Sequence, residues 1–105
     1  MKAMRMDKRK LKIVKITERD GETPKKSHPH QDFSYDELIG KTFVEAYETK
    51  ENSSMFLFNV NEDGVIISDL YLRTSYVVEV KQDDRSLVVT TKNTVYFFEI
   101  IEPNN

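Results

Sequence analysis

Residues Ser75 to Ile101, SYVVEVKQDDRSLVVTTKNTVYFFEII, decide how the rest of the chain is read. Tyr76, Val78 and Val80 alternate with Val77 and Glu79, and Lys81-Gln82-Asp83-Asp84-Arg85-Ser86 is a polar turn. Leu87 to Thr91 runs back, and Lys92-Asn93 makes a two-residue turn in which Asn tolerates left-handed backbone. On the closing run, Thr94 to Ile101, Tyr96, Phe98 and Ile100 share one face and Val95, Phe97, Glu99 and Ile101 the other. Three runs of two-residue period joined by tight turns predict an antiparallel meander.

The same texture extends upstream. Thr42 to Thr49 places Phe43, Glu45 and Tyr47 on one side and Val44, Ala46 and Glu48 on the other. Met55 to Val60 is apolar on both sides except at Asn59, which predicts a central strand. Asn61-Glu62-Asp63-Gly64 reads as a hairpin connection, followed by Val65-Ile66-Ile67 and Leu70-Tyr71-Leu72. Ser34-Tyr35-Asp36-Glu37 has the form of a capping box, with Gly40 as a stop, and predicts one helical turn over 35–39. Leu11 to Ile16 is a first strand. Val, Ile and Thr total 25 residues against 8 for Ala and Leu together, a balance that favours strands over helices.

The fold class expected is mainly β: a small antiparallel β-barrel or bent sheet of six to seven strands with one short helical turn. Closure is favoured because it removes exposed strand edges. The expected core is Leu38, Phe43, Phe56, Phe58, Val65, Ile67, Val78, Val80, Leu87, Val89, Phe98 and Ile100. Three segments follow from composition: a basic N-terminal arm with a short strand over 1–17, a polar linker loop over 18–33, and a β-rich body over 34–105. Glu18 to Asp32 holds no apolar residue and two of the three prolines, so it is expected to be mobile and easily cut by trypsin.

Charge divides along the same lines. Residues 1–15 carry Lys2, Arg5, Lys8, Arg9, Lys10, Lys12 and Lys15 against Asp7, a net +6, and the other 90 residues carry 9 basic and 17 acidic side chains, a net −8. The arm is open to three readings. It folds back on the chain's own carboxylates, it neutralises nucleic-acid phosphates, or it steers a charged protein partner. The opposed charges and the length of the linker also allow the first strand to pair with a neighbouring copy, so a homodimer or higher assembly is expected in concentrated solution.

Catalysis is not expected. The 105 residues contain no cysteine, and the three glycines form no phosphate-cradling loop. Carboxylate pairs fall at turns and at the helix start, where acids serve local hydrogen bonding. His28-Pro29-His30-Gln31-Asp32 offers ligand types that suit zinc, but the stretch has no apolar surroundings to orient the rings, and no metal or other cofactor is expected. No apolar run approaches a membrane span, and with no export signal and no cysteine the chain is read as cytoplasmic.

Eleven aromatic residues lie in or beside the expected strands. Most fill a core. Of the tyrosines, Tyr47, Tyr71, Tyr76 and Tyr96 are the candidates to face outward and bind. Glu45, Glu48, Asp69, Glu79 and Glu99 stand among them with few bases, which suits a protein partner better than a nucleic-acid strand. The expected function is a small non-enzymatic protein-interaction module of a cytosolic, microbial protein set. The alternative is a nucleic-acid-binding barrel led by the basic arm.

Overall fold

The computed structural model describes residues 9–26, 35–61 and 63–101, with only the backbone of Ser68 and Asp69. Among these residues there are six strands: β1 (Lys10–Thr17), β2 (Thr42–Glu45), β3 (Ser54–Val60), β4 (Ile66–Gln82), β5 (Ser86–Thr91) and β6 (Val95–Ile101). One helical turn, α1 (Tyr35–Leu38), lies between β1 and β2. The strands form a closed barrel in chain order, every neighbouring pair antiparallel. The basic arm therefore ends in a structural strand: β1 closes the ring, pairing with β2 through Lys10–Lys12 and with β6 along its whole length.

Turn chemistry sets the hairpins. Asp83 accepts hydrogen bonds from the amides of Arg85 and Ser86 at 2.9 and 2.8 Å, which shapes the β4–β5 turn. Asn61 does the same for Asp63 and Val65, and Gly64 takes the positive φ of 82° that the turn requires. Gly40, at φ 90°, donates its amide to the carbonyl of Ile13 at 2.7 Å, while Ile13 donates to Lys41 at 3.1 Å. The chain leaving α1 is thereby fastened to β1, with Leu38 buried beneath it.

β4 runs for 17 residues and changes partner on the way. Ile66 to Tyr76 pairs with β3, and Val77 to Gln82 pairs with β5. The turning point is a bulge in which two β4 residues, Thr74 and Ser75, stand against the single Met55. The Thr74 hydroxyl accepts from the Met55 amide at 2.9 Å and donates to the Ser75 carbonyl at 2.7 Å, so the irregular backbone keeps its hydrogen bonds.

Leu38, Phe43, Leu87, Val89 and Phe98 are buried as expected, and Val80 and Ile100 pack partly buried against them. The rest of the expected core needs correction. Phe56 and Phe58 lie on the outer side of β3, because Met55 and Leu57 take the inside. With both sides of the strand apolar, period-two reading has no way to choose a face. Val65 (57% exposed), Ile67 (56%) and Val78 (50%) also point outward. Register shifts between Phe58 and Val60 and between Val77 and Glu79 reset the alternation near them. A third shift, between Ile13 and Lys15, puts Leu11, Ile13 and Ile16 inside although their spacing is two and then three.

The loop after β1 is tied down over the part that the structure describes. Glu18 donates to the Thr23 carbonyl at 2.8 Å, Lys25 donates to the Ile16 carbonyl at 3.0 Å, and Thr17 bridges to Pro24. Asp20 accepts from the amides of Glu22 and Thr23 and from the Thr23 hydroxyl. These are polar anchors, which a count of apolar residues does not register. Residues 27–33 lie outside the described residues.

Candidate functional site

Aromatic side chains gather on the outside of the β3–β4 hairpin. Phe56 is at their centre, with ring centroids 5.0 Å from Phe58, 5.5 Å from Tyr71 and 6.4 Å from Tyr47, the last an edge-on contact at 79°. Tyr47 is held in place by its hydroxyl, which donates to the Ser54 carbonyl at 2.8 Å. Across the ladder, Arg73 stands opposite Phe56, and Tyr76 stands opposite Ser54. Tyr71 is 54% exposed and Tyr76 is 68% exposed. Leu72 and Thr74 face inward, so Tyr71 and Arg73 are turned out by the pleat.

Tyr96 does not belong to this face. It is 4% exposed and stacks on Phe98 inside the barrel at 6.4 Å and 19°. Burial drives its hydroxyl pKa far above the ordinary value of 10.0, nearby Tyr35 adds to the rise, and a hydrogen bond with Thr94 opposes it. It is a core residue that β6 alternation points inward with Phe98, and the expectation that it binds outside is corrected.

The basic candidates go elsewhere. Arg9 grips the buried Glu45 carboxylate through Nε at 2.8 Å and Nη2 at 3.3 Å, and donates to Gln82 at 2.7 Å. Glu45 also accepts from the amide and the hydroxyl of Thr49. Burial alone would raise its pKa, but the hydrogen bonds and the charge of Arg9 hold it below the ordinary 4.5. Lys12 is opposite Glu99 in the β1–β6 register, with the half-buried Lys10 two residues before it on β1. Lys15 lies 5.0 Å above the Phe97 ring. Lys2, Arg5 and Lys8 are outside the described residues, as is His28-Pro29-His30-Gln31-Asp32. Among the described residues no group of three or more His, Cys, Asp and Glu side chains is placed to hold a metal. No helix among them is long and apolar enough to cross a membrane.

Tyr47 and Tyr71 are thus brought together through Phe56, Tyr76 stands opposite Ser54 farther along the pairing, and Phe56, Phe58 and Arg73 are the neighbours that sequence reasoning missed. Asn59 shares its side of β3 with Met55 and Leu57, and nothing local says that this side, with its one polar residue, is the inner one. Asn59 is 6% exposed, and its amide donates to the Thr42 carbonyl at 2.9 Å, a partner that only the folded barrel supplies.

A second concavity, an open cleft of about 860 Å³, lies between the loop after β1, the β4 corner and the β5–β6 turn. Its lysine and one arginine are already committed. Lys25 pairs with Glu18 at 3.3 Å and donates to the Asn93 carbonyl, and Arg19 donates to the Lys92 carbonyl. Comparison with known protein families, curated proteins and solved structures finds no match to this chain.

Proposed function

We propose that the chain is a small, non-enzymatic, cytoplasmic protein-interaction module that binds through the outer face of its β3–β4 hairpin. The observation that carries this reading is the aromatic cluster of Tyr47, Phe56, Phe58 and Tyr71, left on the outside of a barrel whose inside is already filled. Water-facing rings of this kind supply large contact area with few rotatable bonds, which is why tyrosine is enriched at binding hot spots. The cytoplasmic assignment is supported by the lack of cysteine in 105 residues.

The nucleic-acid alternative draws on the net +6 of residues 1–15. It is weakened by the engagement of Arg9 with Glu45, of Lys15 with Phe97, and by Glu99 opposite Lys12. Co-purification of the tagged chain with and without nuclease separates the two. A stoichiometric protein that survives nuclease, and that is lost when Tyr71→Ser and Tyr76→Ser are combined, supports the face. Bulk nucleic acid, released steeply by salt and indifferent to the tyrosines, supports the arm.

A further inference from the structure

β4 loses one of its two neighbours at its bend. Its pairing with β5 ends where Lys92 donates to the Tyr76 carbonyl at 3.2 Å. From Ser75 back to Tyr71, the side of β4 away from β3 pairs with no strand among the described residues. The register tells which main-chain groups are left over. Phe56, Leu57 and Phe58 stand opposite Arg73, Leu72 and Tyr71 without a shift between them. The Phe56 carbonyl accepts from the Ala46 amide at 2.8 Å, so Phe56 aims its main-chain groups at the β2 side. Residues opposite each other in an antiparallel pair either exchange both bonds or turn both away. Arg73, and Tyr71 two residues along, therefore turn N–H and C=O away from β3. Neither has a main-chain partner on that side among the described residues.

Leu72 to Ser75 of this edge line the cleft of about 860 Å³ beside the loop after β1. Arg19, Lys25 and Arg73 line it too, against Glu18 and Asp20. Both acids are already engaged. Glu18 pairs with Lys25, and Asp20 accepts from Glu22 and Thr23 within its own turn. Arg19 holds the Lys92 carbonyl through one nitrogen, and the exposed Arg73 side chain has no hydrogen bond, ion pair or ring contact among the described residues. Two guanidinium charges are left without a carboxylate. We propose that the cleft takes an extended acidic peptide segment of a partner protein, added to β4 as a strand at Arg73 and Tyr71. A peptide main chain alternates donor and acceptor as this edge does, which neither a nucleic-acid strand nor a small anion can match. The arginines select its carboxylates by charge-assisted, two-pronged hydrogen bonds. The edge lies in the plane of the sheet and the aromatic cluster on its outer surface, so this proposal does not rest on that cluster.

Nuclear magnetic resonance of the full chain tests this in two stages. In the free protein the Arg73 amide should exchange quickly with solvent, and the amide of Leu72, which exchanges both bonds with Leu57, slowly. A short capped peptide alternating valine and glutamate, titrated to millimolar concentration, should then shift the Tyr71 and Arg73 amides and slow their exchange. Arg73→Gln, at an exposed site, should weaken that binding at least about tenfold while circular dichroism stays unchanged. A valine–lysine peptide should leave these amides unmoved, as should the valine–glutamate peptide methylated on its main-chain nitrogens. An Arg73 amide as protected as that of Leu72 in the free chain overturns the inference, because the edge is then already paired. So does a valine–glutamate peptide that moves neither amide, or one whose methylated form binds as well. Acetate alone reproducing the shifts reduces the cleft to an anion site and overturns the added strand.

Discussion

The β5–β6 hairpin and the β3–β4 hairpin are built from similar apolar content and use it differently. In β5–β6 the register runs unbroken from Ser86 opposite Glu99 to Thr90 opposite Val95. Leu87, Val89, Tyr96 and Phe98 all turn inward, and polar or half-buried residues lie between them. In β3–β4 two register shifts interrupt the ladder, and rings cover the outside while Met55, Leu57 and Leu72 fill the inside. The first hairpin leaves one apolar pair on its outer side, Val88 opposite Phe97, both half-buried and with Lys15 over the Phe97 ring. The second has more than its core can take. A strand whose two faces are both apolar has a second surface to cover, and the proposed binding face is that surplus.

The contrast breaks if inner and outer positions respond alike. Leu57→Ala on β3 and Leu87→Ala on β5 remove fully buried side chains, and each should cost about 2–5 kcal/mol by urea denaturation. Similar losses at both sites mean that the two hairpins share one core. A near-silent Leu57→Ala would reverse the assignment of faces on β3.

The clamp at the base of the arm ranks next. Arg9→Ala leaves the Glu45 carboxylate buried and half-satisfied, at a cost of about 1–3 kcal/mol because the Arg9 side chain is itself partly exposed. The effect depends on pH with a definite sign. The folded pKa of Glu45 lies below its ordinary 4.5, so its contribution is complete above the unfolded value and fades as pH falls through the folded one. Glu45→Gln should therefore flatten the acid limb of the stability profile. An unchanged slope between neutral pH and acid unfolding would show that the pair contributes nothing.

The smallest effect on folding sharpens the comparison most. Tyr71→Ser and Tyr76→Ser should each shift unfolding by less than about 1 kcal/mol. A loss at either site as large as that of Leu57→Ala would mean that the outer rings serve folding and not recognition.

Much of the architecture was legible because local chemistry acts alone there. Asp83 and Gly64 build their turns from neighbours a few residues away, and the alternation around Leu87 and Phe98 has one apolar side to choose. The site was legible only by residue type. Tyr47, Tyr71 and Tyr76 were marked as candidates with Tyr96, but nothing local to Tyr96 says that its face of β6 is the inner one. Phe56 and Phe58 were misassigned for the matching reason.

By itself the sequence determined a mainly β chain, one helical turn ahead of β2, the hairpin turns and a basic segment before an acidic body. Each is a property of residues near one another along the chain, where propensity, capping and turn chemistry act without a partner. The tertiary structure alone decided which way β3 faces, where β4 exchanges β3 for β5, and that Arg9 meets Glu45 across 36 positions. Bulges add one residue to one strand of a pair, and a closed ring admits only registers that suit every strand at once. Those conditions exist only when the barrel is complete, so no window of sequence contains them.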